Sequence, residues 1–258
     1  MYIKTMKSGV FFLFMVLFAA GCSVKEDRDE CPCILVMDFS CVDTSLVKSV
    51  NILAESPDGI VFFDSLGVEA FEKEYVREVP HSEMCVSVWG GSGADEDLQI
   101  PYGCECPYLY MYAFEPDTRL EMWRETVDLK KNHCRLTVLL DGREDMPYCM
   151  TFRGNVDGYG NDGFPTSGDF ACVAYPSADG GSQVVVPRQT DSSLMLEVDD
   201  MESMVTKVFA IGEYLDAAGY DWTAEELEDA TVIIDYYLTK IQITFRGWDN
   251  EYSYDIIL

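Results

Sequence analysis

From residue 33 onward the dominant hydrophobic period is two. Residues 34–39 form a short apolar run, and 47–54 and 59–64 flank Ser56-Pro57-Asp58-Gly59, a turn sequence that predicts a hairpin. Tyr75, Arg77 and Val79 alternate up to Pro80, and residues 84–89 predict another strand that stops at Gly90-Gly91. Tyr108, Tyr110, Tyr112 and Phe114 alternate with Leu109, Met111 and Ala113, so one face of that strand is aromatic and both faces suit burial. Leu136, Val138 and Leu140 share one face of a strand starting at Cys134, and Tyr148, Met150 and Phe152 alternate with Cys149, Thr151 and Arg153. Residues 184–186 are a short run, Leu194, Leu196 and Val198 alternate cleanly, and Ile241, Ile243 and Phe245 mark a half-buried antiparallel strand.

Two stretches break the period. Met201, Met204, Val205 and Val208 fit helical spacing, although 208–211 also reads as extended, and Thr223-Ala-Glu-Glu226 resembles a capping box opening a short helix through Ala230. Residues 155–163, rich in Gly, Asn and Asp, predict a loop. Many short, turn-bounded strands predict an all-β chain with minor α, folded as β-sandwiches rather than as helices on a parallel sheet. Two strand sets of similar length, over 33–126 and 127–258, suggest two copies of one architecture.

The first thirty residues follow different rules. Lys4 and Lys7 precede nine unbroken apolar residues, 10–18, and then Ala19-Ala20-Gly21-Cys22. A spanning helix needs about 20 apolar residues, so this is an export signal and not a permanent span. Small residues directly before a cysteine resemble the lipobox of bacterial lipoproteins, in which cleavage between Gly21 and Cys22 leaves Cys22 as the acylated N-terminus; Ala19 stands where leucine is usual. Residues 1–21 are thus the signal peptide and 22–32 an acidic tether, whose Lys25-Glu26-Asp27 resembles a surface-export signal. The expected location is the cell outer membrane, lipid-anchored and facing outward.

Charge then narrows the partners. The 258 residues carry 18 Lys+Arg against 46 Asp+Glu, a net charge of -28. Losing Lys4 and Lys7 with the signal leaves 16 against 46, or -30. Such a surface repels polyanions, so no nucleic-acid partner is expected, and anionic headgroups do not attract it either. At 48% hydrophobic and 13% aromatic, the chain has enough to bury that pervasive disorder is excluded.

The chemistry-bearing residues are sparse. Asn155, Asp157, Asn161 and Asp162 offer oxygen ligands, but Tyr159 and Thr166 fall where an EF-hand needs its fifth and twelfth ligands. Cys31-Pro-Cys33 and Cys104-Glu-Cys106 have one-residue spacers, and the chain has only His81 and His133, so no zinc site is expected. Nine cysteines besides Cys22 read as disulfides or as small buried apolar thiols. There is no Gly-x-Ser-x-Gly, and Gly90-Gly91-Ser92-Gly93 lacks the Lys-Ser/Thr of a phosphate loop. A catalytic carboxylate pair cannot be singled out among 46 acids. No enzyme activity, cofactor or small-molecule substrate is expected.

An ordered set of short motifs resembles the fimbrillin-associated anchor family, the lipid-anchored base subunits of type V pili. The set comprises Gly21-Cys22-Ser-Val-Lys-Glu-Asp-Arg, Cys31-Pro-Cys33 with the strand 34–39, Val50-Asn-Ile-Leu53 before Pro57-Asp58-Gly59, and Trp89-Gly90. Leu129-Lys-Lys-Asn-His-Cys-Arg-Leu-Thr-Val138 and Ile234-Asp-Tyr-Tyr-Leu-Thr-Lys-Ile241 complete it. The resemblance implies two transthyretin-like β-sandwiches in series, and partners that are pilin subunits joined by strand exchange. It implies a lipid-held last subunit that ties the fibre to the cell. The C-terminal run suits a donor strand, with Tyr254, Ile256, Ile257 and Leu258 as its candidate residues, or alternatively a last strand of its own sandwich. The competing expectation is a surface module binding glycan or peptide through exposed aromatics, for which Trp89, Tyr102, Tyr108, Trp123, Tyr159 and Trp248 are the candidates.

Overall fold

The structure, a computed structural model, describes residues 31–72, 74–94, 98–141, 148–176, 181–200, 204–235, 241–246 and 251–256. It is an all-β sandwich fold with one short α-helix among the described residues. The first strands are β1 (Cys33–Asp38), β2 (Ser49–Ser56), β3 (Gly59–Gly67), β4 (Tyr75–Val79), β5 (Cys85–Gly90), β6 (Tyr110–Phe114) and β7 (Met122–Thr126), followed by the two-residue β8 (Lys130–Lys131). Then come β9 (His133–Asp141), β10 (Tyr148–Tyr159), β11 (Pro165–Ala174), β12 (Gly181–Pro187), β13 (Met195–Asp200), β14 (Val205–Phe209) and β15 (Asp229–Asp235). Two more, β16 (Ile241–Arg246) and β17 (Glu251–Ile256), complete the order; the helix α1 (Ile211–Ala217) lies between β14 and β15.

Sheet order shows that one topology occurs twice. The first sheets run β4-β1-β7 and β3-β2-β5-β6-β8; the second run β12-β9-β15-β16-β17 and β11-β10-β13-β14. Adding eight to each strand number of the first set, β8 aside, reproduces the second. Even the exceptional parallel pairs match, β1 with β7 and β9 with β15. In strand order the repeats differ, among the described residues, only in what is appended. β8 crosses to pair with β6, whereas β16 and β17 extend the sheet beyond β15.

Strand alternation places the cores. Cys33, Leu35 and Met37 of β1 meet Val50, Ile52 and Val88 in one apolar cluster, and Leu136, Val138, Met150, Phe152, Leu196 and Val198 meet in another. Full burial of each large side chain contributes about 1.5–3 kcal/mol. The strand β6 serves two clusters. Its Tyr110, Tyr112 and Phe114 pack on the first core, while Met111, with Leu109, joins Trp89 and Tyr159 in a third cluster between the repeats.

Three sequence expectations are corrected. Residues 155–159 are not loop: β10 runs through them, and the turn to β11 occupies only 160–164. Gly154 and Gly158 are there for close approach. A Cβ on Gly154 would lie 2.5 Å from Gln189 Oε1, and one on Gly158 2.6 Å from the Leu98 carbonyl. Asp157 and Asn161, two of the four weighed calcium ligands, are engaged with Thr166 and Glu55, and Asp162 accepts the Phe164 N–H. Second, Val205 and Val208 lie on the strand β14, whose pairing to β13 overrides the helical spacing. The helix follows instead, at Ile211–Ala217. Third, Thr223 caps no helix. Asp221 accepts both its N–H (2.8 Å) and its hydroxyl (2.6 Å), and Asp229–Asp235 pairs parallel to β9.

All nine cysteines of the described residues are free thiols, and Cys33, Cys106, Cys134 and Cys172 are buried. Burial pushes the thiols up, to about 11 for Cys134 and about 12 for Cys172, as expected of apolar core groups.

Candidate functional site

Two features set this molecule apart from a plain pair of sandwiches: the joint between the repeats and an open sheet edge. At the joint, the connection between β5 and β6 crosses onto the second repeat. The Tyr159 N–H donates to the Leu98 carbonyl (3.2 Å), Ile100 N to the Asp157 carbonyl (2.6 Å), Gly103 N to Ala171 (2.8 Å) and Cys106 N to Val185 (3.0 Å). This strap covers part of the β11 edge and reaches β12. Main-chain bonds of this kind cover an otherwise open edge.

Arg188 is the centre of the joint. Its Nε donates to Asn132 Oδ1 (3.0 Å), and one terminal nitrogen donates to the carbonyls of Trp222 (2.7 Å) and Ala224 (2.6 Å). The other terminal nitrogen donates to the carbonyls of Lys131 (3.4 Å) and Glu225 (3.3 Å). Burial holds the guanidinium below its usual range. No carboxylate accepts from it in any of these bonds; carbonyl dipoles carry the charge. The backbone N–H of Arg188 donates to the Tyr159 hydroxyl (2.9 Å), which in turn donates to the Asn132 carbonyl. The segment linking β8 to β9 is thereby tied to the loop before β15.

His133 stands beside this network, 1% exposed. Cys134 points into the second core and His133 to the opposite face, as neighbours on a strand must. Its ring stacks edge-on with Tyr108 and Tyr110, at 5.2 and 5.4 Å between centroids. Nδ1 lies 3.0 Å from the Leu109 carbonyl and carries the proton, since a carbonyl only accepts. Burial pushes the imidazole down to about 4, so it is neutral near pH 7. A buried neutral ring tied to a carbonyl packs the joint; it is not poised for acid–base work.

The open edge belongs to β7. In the second repeat β15 has β9 on one side and β16 on the other; in the first, β7 has β1 on one side and, among the described residues, no strand on the other. The bonds Ile34 N to Glu121 O (3.0 Å) and Val127 N to Asp38 O (2.9 Å) set the parallel phase. Trp123 and Glu125 therefore face β1 with their main-chain groups, and Met122, Arg124 and Thr126 direct theirs to the open side. Met122 is half exposed, and so is Leu120 in the turn that leads into the strand. Inward, Glu125 accepts from Tyr112 (2.7 Å) and from Trp123 Nε1 (3.0 Å), which fixes the strand from its buried face.

The sequence candidates fall in several places. Gly21, Cys22, Ile257, Leu258 and Trp248 lie outside the described residues. Tyr254 and Ile256 are on β17, which pairs antiparallel with β16 from Ile241↔Ile256 to Arg246↔Glu251 and forms the sheet's far edge. Of the aromatic candidates, Trp89 and Tyr159 are 1% and 3% exposed in the joint cluster, which corrects the expectation that a ligand reaches them. Trp123 is half-buried, while Tyr102 and Tyr108 are exposed, and Arg153 donates to the Tyr102 hydroxyl (3.0 Å). Sequence reasoning missed both β7 and Arg188. The segment Met122-Trp-Arg-Glu-Thr126 mixes apolar and polar residues on both faces and so carries no period-two signal, and a single arginine after Pro187 gave none either.

No protein-family model matches the sequence. No curated protein matches it either. Solved structures do. A candidate adhesin of Bacteroides thetaiotaomicron superposes with a TM-score of 0.57 at 13% identity, covering 83% of this chain and 96% of that one. A candidate adhesin of Bacteroides ovatus gives 0.54 at 14% identity over 87% and 96%. The fimbrial anchor protein Mfa2 of Porphyromonas gingivalis gives 0.55 at 12% identity over 84% and 98%. At these identities the likeness is one of fold, and the fold is that of a group of proteins that includes a fimbrial anchor.

Proposed function

We propose that the protein is a fimbria-associated surface lipoprotein that anchors and terminates a pilus, acylated at Cys22 after cleavage behind Gly21 and held on the outer membrane by that lipid. Pilin subunits are its partners, and the role is one of holding, without catalysis. The observation that carries the reading is the open β7 edge, in a fold shared with a fimbrial anchor, at the position that β16 fills in the second repeat. A pilin strand laid there would complete the first repeat's sheet as β16 extends the second. Main-chain bonds to Met122, Arg124 and Thr126 would supply affinity, and alternate side chains packed beside the half-exposed Met122 would supply specificity. The C-terminal strand with Tyr254, Ile256, Ile257 and Leu258 is the candidate donor in the opposite direction; to serve, it has to leave β16.

Arg124→Pro separates these directions. It removes an N–H aimed at the open edge without touching the bonds to β1, and the Arg124–Glu74 pair lost with it is exposed and worth little. Binding of purified pilin to the folded variant is expected to weaken about tenfold, the effect of about 1.4 kcal/mol. Deleting residues 254–258 should leave that binding intact if the anchor only accepts a strand, and abolish it if the anchor donates one. Unchanged binding in both variants would remove strand exchange from the account.

A further inference from the structure

Two recesses on the outer face of the second repeat meet at one ion-paired cluster. The first, about 460 Å³, opens at the joint between the walls Tyr108 and Tyr110 and the row Lys131, His133 and Arg135. The second, about 340 Å³, continues along the sheet over Thr137, Gln183, Thr231 and Thr244. Arg135 and Asp229 line both. His133, Arg135 and Thr137 follow at two-residue spacing on one face of β9, about 13 Å of strand, and Lys131 of the preceding β8 lines the groove at its joint end.

The lining excludes most ligand classes. Asp229 accepts from Lys131 (2.5 Å) and from the Arg135 backbone N–H (3.0 Å) and guanidinium (2.7 Å), so both cations are already paired. Burial works against this carboxyl's ionisation, but the hydrogen bond from Lys131 and its charge hold it below the usual range. Glu226 and Glu228 add negative charge to the rim, and His133 is neutral. Lys131 and Arg135 share one carboxylate, and with Glu226 and Glu228 the acids of the lining outnumber its cations three to two, so it disfavours a phosphate or carboxylate. Leu46 and Leu227 join the tyrosines in the first recess, but the hydroxyl and amide groups along the second suit no apolar ligand that spans both. Gln183 Nε2 already donates to Thr137 Oγ1 (3.3 Å), so these groups are held in place before anything binds.

An aromatic wall, ion-paired charges with no cationic excess and a row of fixed hydroxyl and amide groups match one chemistry. We infer that this groove binds an extended neutral oligosaccharide, with a sugar face packed on the exposed Tyr108 and hydroxyls exchanging hydrogen bonds with the Asp229 cluster, Thr137 and Gln183. Aromatic rings offer large apolar faces beside polar edges, and pyranose rings have the complementary C–H faces and hydroxyl rims. The site lies on the second repeat and at the joint, away from the β7 edge, so it does not depend on the anchoring role.

The mature lipoprotein in detergent should be applied to an array carrying cello-, malto- and chito-oligosaccharides beside sialylated and sulfated glycans. The strongest neutral binder would then be titrated by calorimetry. Binding is expected to neutral chains, longer ones better than disaccharides, and to weaken about tenfold in Tyr108→Ala and several-fold in Gln183→Ala. Gln183 is exposed, so its variant folds as the parent does and decides the matter if Tyr108→Ala is destabilised. Absence of binding to every neutral oligosaccharide, binding confined to the acidic glycans, or affinity untouched by Gln183→Ala would each overturn the inference.

Discussion

Replacing Arg188 by methionine is expected to lower the unfolding free energy of the second repeat by about 3–5 kcal/mol. The guanidinium makes five hydrogen bonds, to Asn132 Oδ1 and to the carbonyls of Lys131, Trp222, Ala224 and Glu225. Methionine fills much of the volume but donates nothing, so carbonyls near the joint lose their partner, and a charge-assisted bond is worth about 1.5–3 kcal/mol. The five do not add fully, because some of the carbonyls relax toward water once the loop before β15 loosens. Arg188→Lys should recover little, since an ammonium on a flexible stem cannot reach acceptors spread around a planar fork. Chemical denaturation followed by both tryptophan fluorescence and far-ultraviolet dichroism measures the change. A loss below about 1 kcal/mol would show that the network is ornamental to stability.

The second large effect is a dependence on acidity. His133 has its folded-state value pushed down to about 4 by burial, against an ordinary value of 6.5. Between these values the unfolded chain binds a proton that the folded chain refuses. Stability contributed by the neutral, buried ring is therefore whole above pH 6.5 and falls as pH drops toward 4. A gap of about 2.5 units corresponds to about 3 kcal/mol lost over that window. The nearby charges of Lys131 and Arg135 disfavour a further charge, and Asp229 is already committed to both. Carboxylates held low, among them Asp229 and Asp221, also lose stability on acidification, so the wild-type slope alone does not isolate the histidine. The difference from His133→Gln does. The variant should show a shallower loss between pH 6.5 and 4, and equal slopes would mean that His133 is charged in the fold.

Much of this architecture was legible because it rests on local alternation. Leu136 and Val138, Met150 and Phe152 repeat at period two and lie where that period puts them. The hairpin through Pro57-Asp58 was readable for the same reason, since its pairing joins neighbours in the chain. What was not legible depends on distant partners. Residues 155–159 have a turn composition, yet they extend because β11 pairs along one side and the strap carrying Leu98 and Ile100 bonds to the other. Val205 and Val208 obey a helical spacing that pairing with β13 overrules. Thr223 and Glu226 look like a capping box, but Asp221 takes the threonine's hydrogen bonds first. The site was harder still. An open edge is a property of what fails to pair, and that β7, among the described residues, is bare where β15 is covered emerges only once both repeats are laid out by strand order. Arg188 is significant only through carbonyls 34 to 57 residues away in the chain.

The acidic balance fits the same account. Cleavage behind Gly21 would leave a chain at -30 that repels anionic headgroups, so a lipid on Cys22 would hold the body while the body stays in solution. Anchoring would then depend on a covalent lipid and a sheet edge, at opposite ends of one mechanical link.

The most direct measurement replaces Cys22 with alanine in the native cell and follows the fimbriae. With the lipid site gone and the protein still exported, fibres are expected in the culture medium, carrying the variant at their base. Fibres that stay attached to the cells at normal length would contradict the anchoring role.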